Sequence, residues 1–169
     1  MEVGLANKYF ERAFARLSSL EGKTVAITGT TSGTGFSAAE ACGKLGANVI
    51  LLNRPSARAD SSLALLKASN SRGKFSNIDC DLQCFKAVRS AGSKIKETCP
   101  EGLDVLCNNA GVMALKDMPT TDGFDVQMQT NHLSHFLLTK LVFPLLKKAS
   151  QQRGEARIVN HSSMARLMV

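Results

Sequence analysis

The sequence predicts an α/β fold, a doubly wound parallel sheet with helices on both faces that is truncated after a fifth strand. Short apolar runs alternate with helix-like segments along the chain. Most of these runs are apolar at successive positions, as parallel strands covered on both faces require. The first run also passes through a glycine cluster directly into a helix, a connection typical of such sheets. At 169 residues the chain has room for one core-bearing domain and little more. A hydrophobic content of 44% excludes both a disordered and a membrane-embedded composition.

Residues 1–20 stand outside the alternation. Leu5, Tyr9, Phe10, Ala13, Phe14 and Leu17 recur at helical spacing with Lys8, Glu11, Arg12 and Arg16 between them, which predicts an amphipathic extension packed on the domain. Glu2 and Glu11 dilute its basic face and disfavour a membrane-surface helix or a cleaved address. Residues 21–169 form the domain proper. Its strand candidates are Val25-Ala26-Ile27, Val49-Ile50-Leu51-Leu52, Phe75-Ser76-Asn77-Ile78, Leu103-Asp104-Val105-Leu106 and Arg157-Ile158-Val159-Asn160. Helices are expected at Gly35–Leu45, Ala57–Ala68, Gln83–Thr98 and Thr121–Lys148, with Gly46 at a C′ position and Pro100 as a stop.

Thr28-Gly29-Thr30-Thr31-Ser32-Gly33-Thr34-Gly35 joins the first strand to the first helix. Free N–H groups of a first helical turn, together with the helix dipole, favour an anion there. Glycines permit the tight turn and let backbone approach a pyrophosphate. A nucleotide triphosphatase loop would need Lys after the last glycine, and this chain has Phe36. The spacing Gly29-x-x-x-Gly33-x-Gly35 behind Thr28 instead resembles the Thr-Gly-x-x-x-Gly-x-Gly of the short-chain dehydrogenase/reductase family.

Downstream residues extend that resemblance over nearly the whole chain from Glu21. Dinucleotide folds that select NAD carry an acid about 20 residues past the glycines. Asn53-Arg54 occupies the equivalent place, so no carboxylate repels a 2′-phosphate and the Arg54 guanidinium can pair with one. NADP (as NADPH) is therefore the expected cofactor. Arg58 reads as a helix-face residue that could assist. Asp81-Leu82 resembles the pair that lies beside the adenine in this family, Asp81 doubling as a loop cap. Asn108-Asn109-Ala110-Gly111 resembles the Asn-Asn-Ala-Gly motif, whose asparagines tie adjacent strands and whose small residues admit the cofactor. The resemblance thus implies a cofactor site of Gly29, Ser32, Gly33, Thr34, Gly35, Arg54, Asp81, Leu82, Asn109, Ala110 and Gly111 in a Rossmann-like domain.

Asn131-His132-Leu133-Ser134-His135-Phe136-Leu137-Leu138 resembles the family's helix with the catalytic Asn, and Asn160-His161-Ser162-Ser163 its fifth strand with the catalytic Ser. The wording of the helix is similar to that of the retinol dehydrogenase and WW-domain oxidoreductase branch. The resemblance implies hydride transfer between a nicotinamide and a carbonyl or alcohol carbon of a small, lipophilic molecule. Ser163 would hydrogen-bond the reacting oxygen, and Asn131 would hold a relay water through the backbone of a kinked helix. The family's proton donor, a Tyr with Lys four residues on, has no counterpart here: the single tyrosine is Tyr9. The expectation is an N-terminal portion of an NADP-dependent enzyme, inactive by itself. The alternative is a complete but non-catalytic dinucleotide-binding or interaction module. Thr34 replaces the family's usual Ile or Leu, and Ser134 a small Gly.

The remaining features narrow the partners. The net charge of +7 is dispersed, with no basic run interleaved with aromatics, so nucleic acid is not expected. His132 and His135 lack a third ligand and read as packing or surface residues, with no metal. His161 stands where the family commonly has an aliphatic residue. The five cysteines lack Cys-x-x-Cys spacing and read as free thiols of a reducing compartment. No secretory signal or spanning segment is seen, which predicts the cytoplasm or an organelle interior, with a transit peptide left open. A homodimer of the longer protein is also left open.

Overall fold

The computed structural model describes residues 14–69 and 72–163. The predicted helical pattern of residues 1–13 lies outside them, and Leu17 is exposed. The chain runs β1 (Thr24–Thr28), α1 (Gly33–Lys44), β2 (Asn48–Asn53), α2 (Ala57–Ser69), β3 (Lys74–Asp79), α3 (Phe85–Thr98), β4 (Val105–Asn108), α4 (Ser134–Arg153) and β5 (Arg157–Asn160). The strands form one sheet in the order β3-β2-β1-β4-β5, and every pairing is parallel. β1 sends the chain to β2 on one side and β4 lies on its other side, so the order reverses between β1 and β4. In open α/β sheets, ligands bind at that reversal, beyond the carboxyl ends of the strands.

Strand side chains alternate between two cores, as the two-residue period dictates. Val25, Ile27, Val49 and Leu51 pack with Ala39 of α1 and Leu66 of α2. Ala26, Ile50, Leu52 and Leu106 face the other way, against Val88 and Ile95 of α3 and Leu138 and Val142 of α4. Three layers result, with β1 and β2 buried on both faces. α1 ends where expected: Gly46 has φ +95 and donates its N–H to the Gly43 carbonyl at 2.8 Å. A buried Asp104 staples the edge of the sheet remote from the glycine turn. It accepts from the Thr24 N–H at 2.8 Å and from Arg153 Nε at 2.6 Å, with Lys23 Nζ at 3.5 Å.

One expectation needs correction. The helix expected at Thr121–Lys148 begins and ends about five residues later and contains a π-helical stretch. A single turn (Val126–Met128) capped by Asp125 leads into a π-helical stretch (Gln129–Leu133), and α4 then runs on to Arg153. Asp122 explains the late start, because its carboxylate accepts from the Phe85 N–H and from Gln129 Nε2 and so pins the preceding loop to the start of α3. The sheet stops at β5 as expected: all four of its residues are exposed, and among the described residues nothing pairs with its outer edge.

Candidate functional site

The glycine turn and the loop after β4 are locked together by Thr28. Its buried hydroxyl accepts the N–H groups of Asn109 and Ala110, both at 2.9 Å. Asn109 Nδ2 donates to the Thr28 carbonyl at 2.9 Å and the Gly29 carbonyl at 3.2 Å. Gly29 lies at φ +71, and a Cβ there would sit 2.8 Å from Ala110 Cα. A Cβ on Gly35 would stand 2.2 Å from the Gly29 carbonyl oxygen, so α1 can begin this close to the turn only with glycine. Asn53, at the end of β2, is itself a tie: its Oδ1 accepts the Thr30 N–H and its Nδ2 donates to Thr30 Oγ1, both at 2.8 Å. Asn108 bonds Asn160 across β4 and β5 at 2.9 Å and Thr139 at 3.1 Å.

Ser32 is the N-cap of α1, yet its side chain caps no backbone N–H. It instead accepts from Arg58 Nη2 at 3.2 Å. The first-turn N–H groups of α1 thus carry no side-chain cap, and they open onto a cleft of about 530 Å³. An uncapped helix N-terminus with arginines beside it fits the phosphates of a dinucleotide. Gly29, Ser32, Thr34, Gly35, Arg54, Asp81, Leu82, Asn109, Ala110 and Gly111 line this cleft, and Gly33 alone of the expected cofactor residues does not. Arg58 lines it too, a contact that its place on a predicted helix face did not reveal. Asp81 Oδ1 caps the loop through the Gln83 N–H at 2.9 Å. The Leu82 carbonyl accepts the buried Ser134 hydroxyl at 2.6 Å, which accounts for serine where a small glycine is usual. Cys80 lines the cleft without being a nucleophile, because burial, with Asp81 adding to it, pushes its thiol up to about 12.

A second, open cleft of about 1080 Å³ adjoins the first and brings Asn131 and Ser163 together, with Ser162 beside them. Asn131 sits in the π-helical stretch, where its side chain pairs both ways with Val112: Oδ1 accepts the N–H and Nδ2 donates to the carbonyl, each at 2.8 Å. His135 links the two clefts from beneath. Its Nδ1 lies 3.1 Å from the Asn131 carbonyl and its Nε2 2.9 Å from Thr28 Oγ1. A carbonyl only accepts, so Nδ1 carries the proton and Nε2 takes the Thr28 hydroxyl hydrogen. Burial lowers the pKa of His135, the bond to Asn131 opposes that, and His132 adds to the lowering. His135 is therefore a buried tie, while His132 is exposed. Among the described residues, no group of three or more His, Cys, Asp or Glu is placed to hold a metal.

The parallel sheet, the uncapped glycine turn at its reversal point and the paired clefts define a Rossmann-like domain of the dinucleotide-binding type. The short chain dehydrogenase family model matches residues 23–169. Retinol dehydrogenase 13 of Homo sapiens is 35% identical over 148 residues, 88% of this chain and 43% of that protein. Short-chain dehydrogenase TIC 32 A, chloroplastic, of Brassica napus is 38% identical over 144 residues, 84% of this chain and 44% of its own length. The Pseudomonas aeruginosa RhlG/NADP active-site complex superposes with a TM-score of 0.69 at 29% identity, covering 83% of this chain and 54% of that one. This chain belongs to the short-chain dehydrogenase family and resembles its retinol dehydrogenase branch. It spans less than half the length of these curated relatives.

Proposed function

We propose that this chain is the cofactor-binding part of an NADP-dependent oxidoreductase acting on a carbonyl or alcohol group of a lipophilic small molecule. The observation that carries the reading is the cleft where the uncapped start of α1 meets Arg54 and Arg58 with no carboxylate on Asn53. Arg54 and Arg58 would hold the 2′-phosphate, the N–H groups at Ser32–Gly35 the pyrophosphate, and Asp81 with Leu82 the adenine side. Asn109, Ala110 and Gly111 would offer a close backbone wall. When bound, the nicotinamide supplies or accepts the hydride. Ser163 Oγ would donate a hydrogen bond to the reacting oxygen and stabilise the charge gathering there. Asn131 would hold a relay water through its carbonyl, which His135 steadies. The proton itself would come from the Tyr-x-x-x-Lys that the family carries and these 169 residues lack.

Relatives support this reading: one is an NADP complex, one a retinol dehydrogenase and one a chloroplastic short-chain dehydrogenase. The last favours an organelle interior over the cytoplasm, and no helix among the described residues is long and apolar enough to cross a membrane. A homodimer of the longer protein belongs to the same reading. The test is the ratio of NADPH to NADH affinity for the wild-type chain and for Arg54→Asp. We expect NADPH to bind more tightly to the wild type, and the substitution to move the ratio toward NADH by about tenfold or more. An unchanged ratio refutes Arg54 as the phosphate contact.

A further inference from the structure

His161 directly follows β5 and lines both clefts without belonging to any expected site. Its ring is held from one side. Asn109 spends both amide hydrogens on the carbonyls of Thr28 and Gly29, so its Oδ1 is fixed as an acceptor facing His161 Nδ1 at 2.9 Å. His161 Nδ1 must then be the donor, and in the neutral ring Nε2 is left with a lone pair. Among the described residues Nε2 has no hydrogen-bond partner, and His161 is exposed. The main chain is anchored as well, since the His161 N–H donates to the Asn108 carbonyl at 3.0 Å. The result is an oriented imidazole with one unspent nitrogen, standing where the cleft of the glycine turn opens into the cleft of Asn131 and Ser163.

We propose that His161 is a further cofactor-contacting residue that hydrogen-bonds the nicotinamide half of the dinucleotide through Nε2. A ligand running from Arg54 to Ser163 has to cross the boundary that His161 lines, and the half that reaches Ser163 is the reacting one. This inference rests on the NADP reading of the cleft. Of the other histidines lining the reaction-side cleft, His135 already has both ring nitrogens engaged, on Thr28 and on Asn131.

The experiment measures binding of NADPH and of 2′,5′-ADP, which carries the adenosine half alone, to the full chain and to His161→Val and His161→Gln. Both variants are expected to bind NADPH about fivefold more weakly at pH 7.5, the loss of one hydrogen bond, with 2′,5′-ADP affinity unchanged. Equal NADPH affinity in wild type and variants overturns the proposal. Parallel losses for both ligands overturn it too, since they would mark His161 as support for Asn109 only. A wild-type chain that binds neither ligand refutes the cofactor reading itself, and this inference with it.

Discussion

Replacing Thr28 with valine keeps the shape of a fully buried side chain and removes one oxygen. That oxygen accepts two backbone N–H groups, from Asn109 and Ala110 at 2.9 Å, and faces His135 Nε2 at 2.9 Å. No cavity forms, so the cost is that of stranded polar groups. Each unsatisfied buried donor costs about 1–3 kcal/mol. Both N–H groups are only partly buried and water can reach them in part, so about 3 kcal/mol for the substitution is the reasoned figure. That is a large fraction of the roughly 5–15 kcal/mol by which a domain is stable. In urea, with a slope of about 2 kcal/mol per molar, the midpoint should fall by about 1.5 M. Thr28→Ser is the control: it keeps the oxygen, loses one methyl and should cost about 1 kcal/mol. NADPH affinity should fall in the valine variant as well, because the same oxygen holds the Asn109–Ala110 wall against the turn. A valine variant no less stable than the serine variant would refute the claim that Thr28 joins the turn to the loop.

Other outcomes follow from the same geometry. Because burial lowers the pKa of His135 below the ordinary 6.5, the unfolded chain binds its proton first as pH falls. Its contribution to stability is therefore intact above pH 6.5 and is lost as pH falls from there through the lower folded value, and His135→Gln should flatten that part of a stability–pH curve. A wild-type curve already flat between pH 7.5 and 5 would contradict this. The 169-residue chain should give no turnover above background with NADPH and a panel of aldehydes and ketones, measured by loss of NADPH absorbance. Robust turnover would show that a group other than the family's Tyr delivers the proton.

The fold was legible because its signals are local. Apolar runs such as Val49–Leu52 have few alternatives in a chain of this length, and Gly46 ended α1 as its backbone freedom predicts. The irregularity at Asn131 was implied by the family resemblance, but the late start of the helix was not legible. It depends on Asp122 meeting Phe85 and Gln129, contacts that no spacing rule reports. The open edge at β5 was legible, because a sheet truncated after its fifth strand leaves that strand unpaired on one side.

At the site, residue types were readable and their partners were not. Asn53 drew attention only for the carboxylate it lacks, whereas its amide supplies both a donor and an acceptor to Thr30. An amide donates and accepts at once, whereas a carboxylate can only accept. The position is thus occupied by the tie that shapes the glycine turn. In the proposed reading, recognition of a phosphate then falls to neighbours that line the cleft, Arg54 next in the chain and Arg58 in the first turn of α2, already drawn to Ser32. Arg58 looked like a surface residue because helical spacing places it on α2, and only the approach of α2 to the start of α1 turns it toward the cleft. The same division explains Ser134 and His135. Each departs from what a helix interior asks for, and each is accounted for by one acceptor or donor supplied from another element, Leu82 for the first and Thr28 for the second.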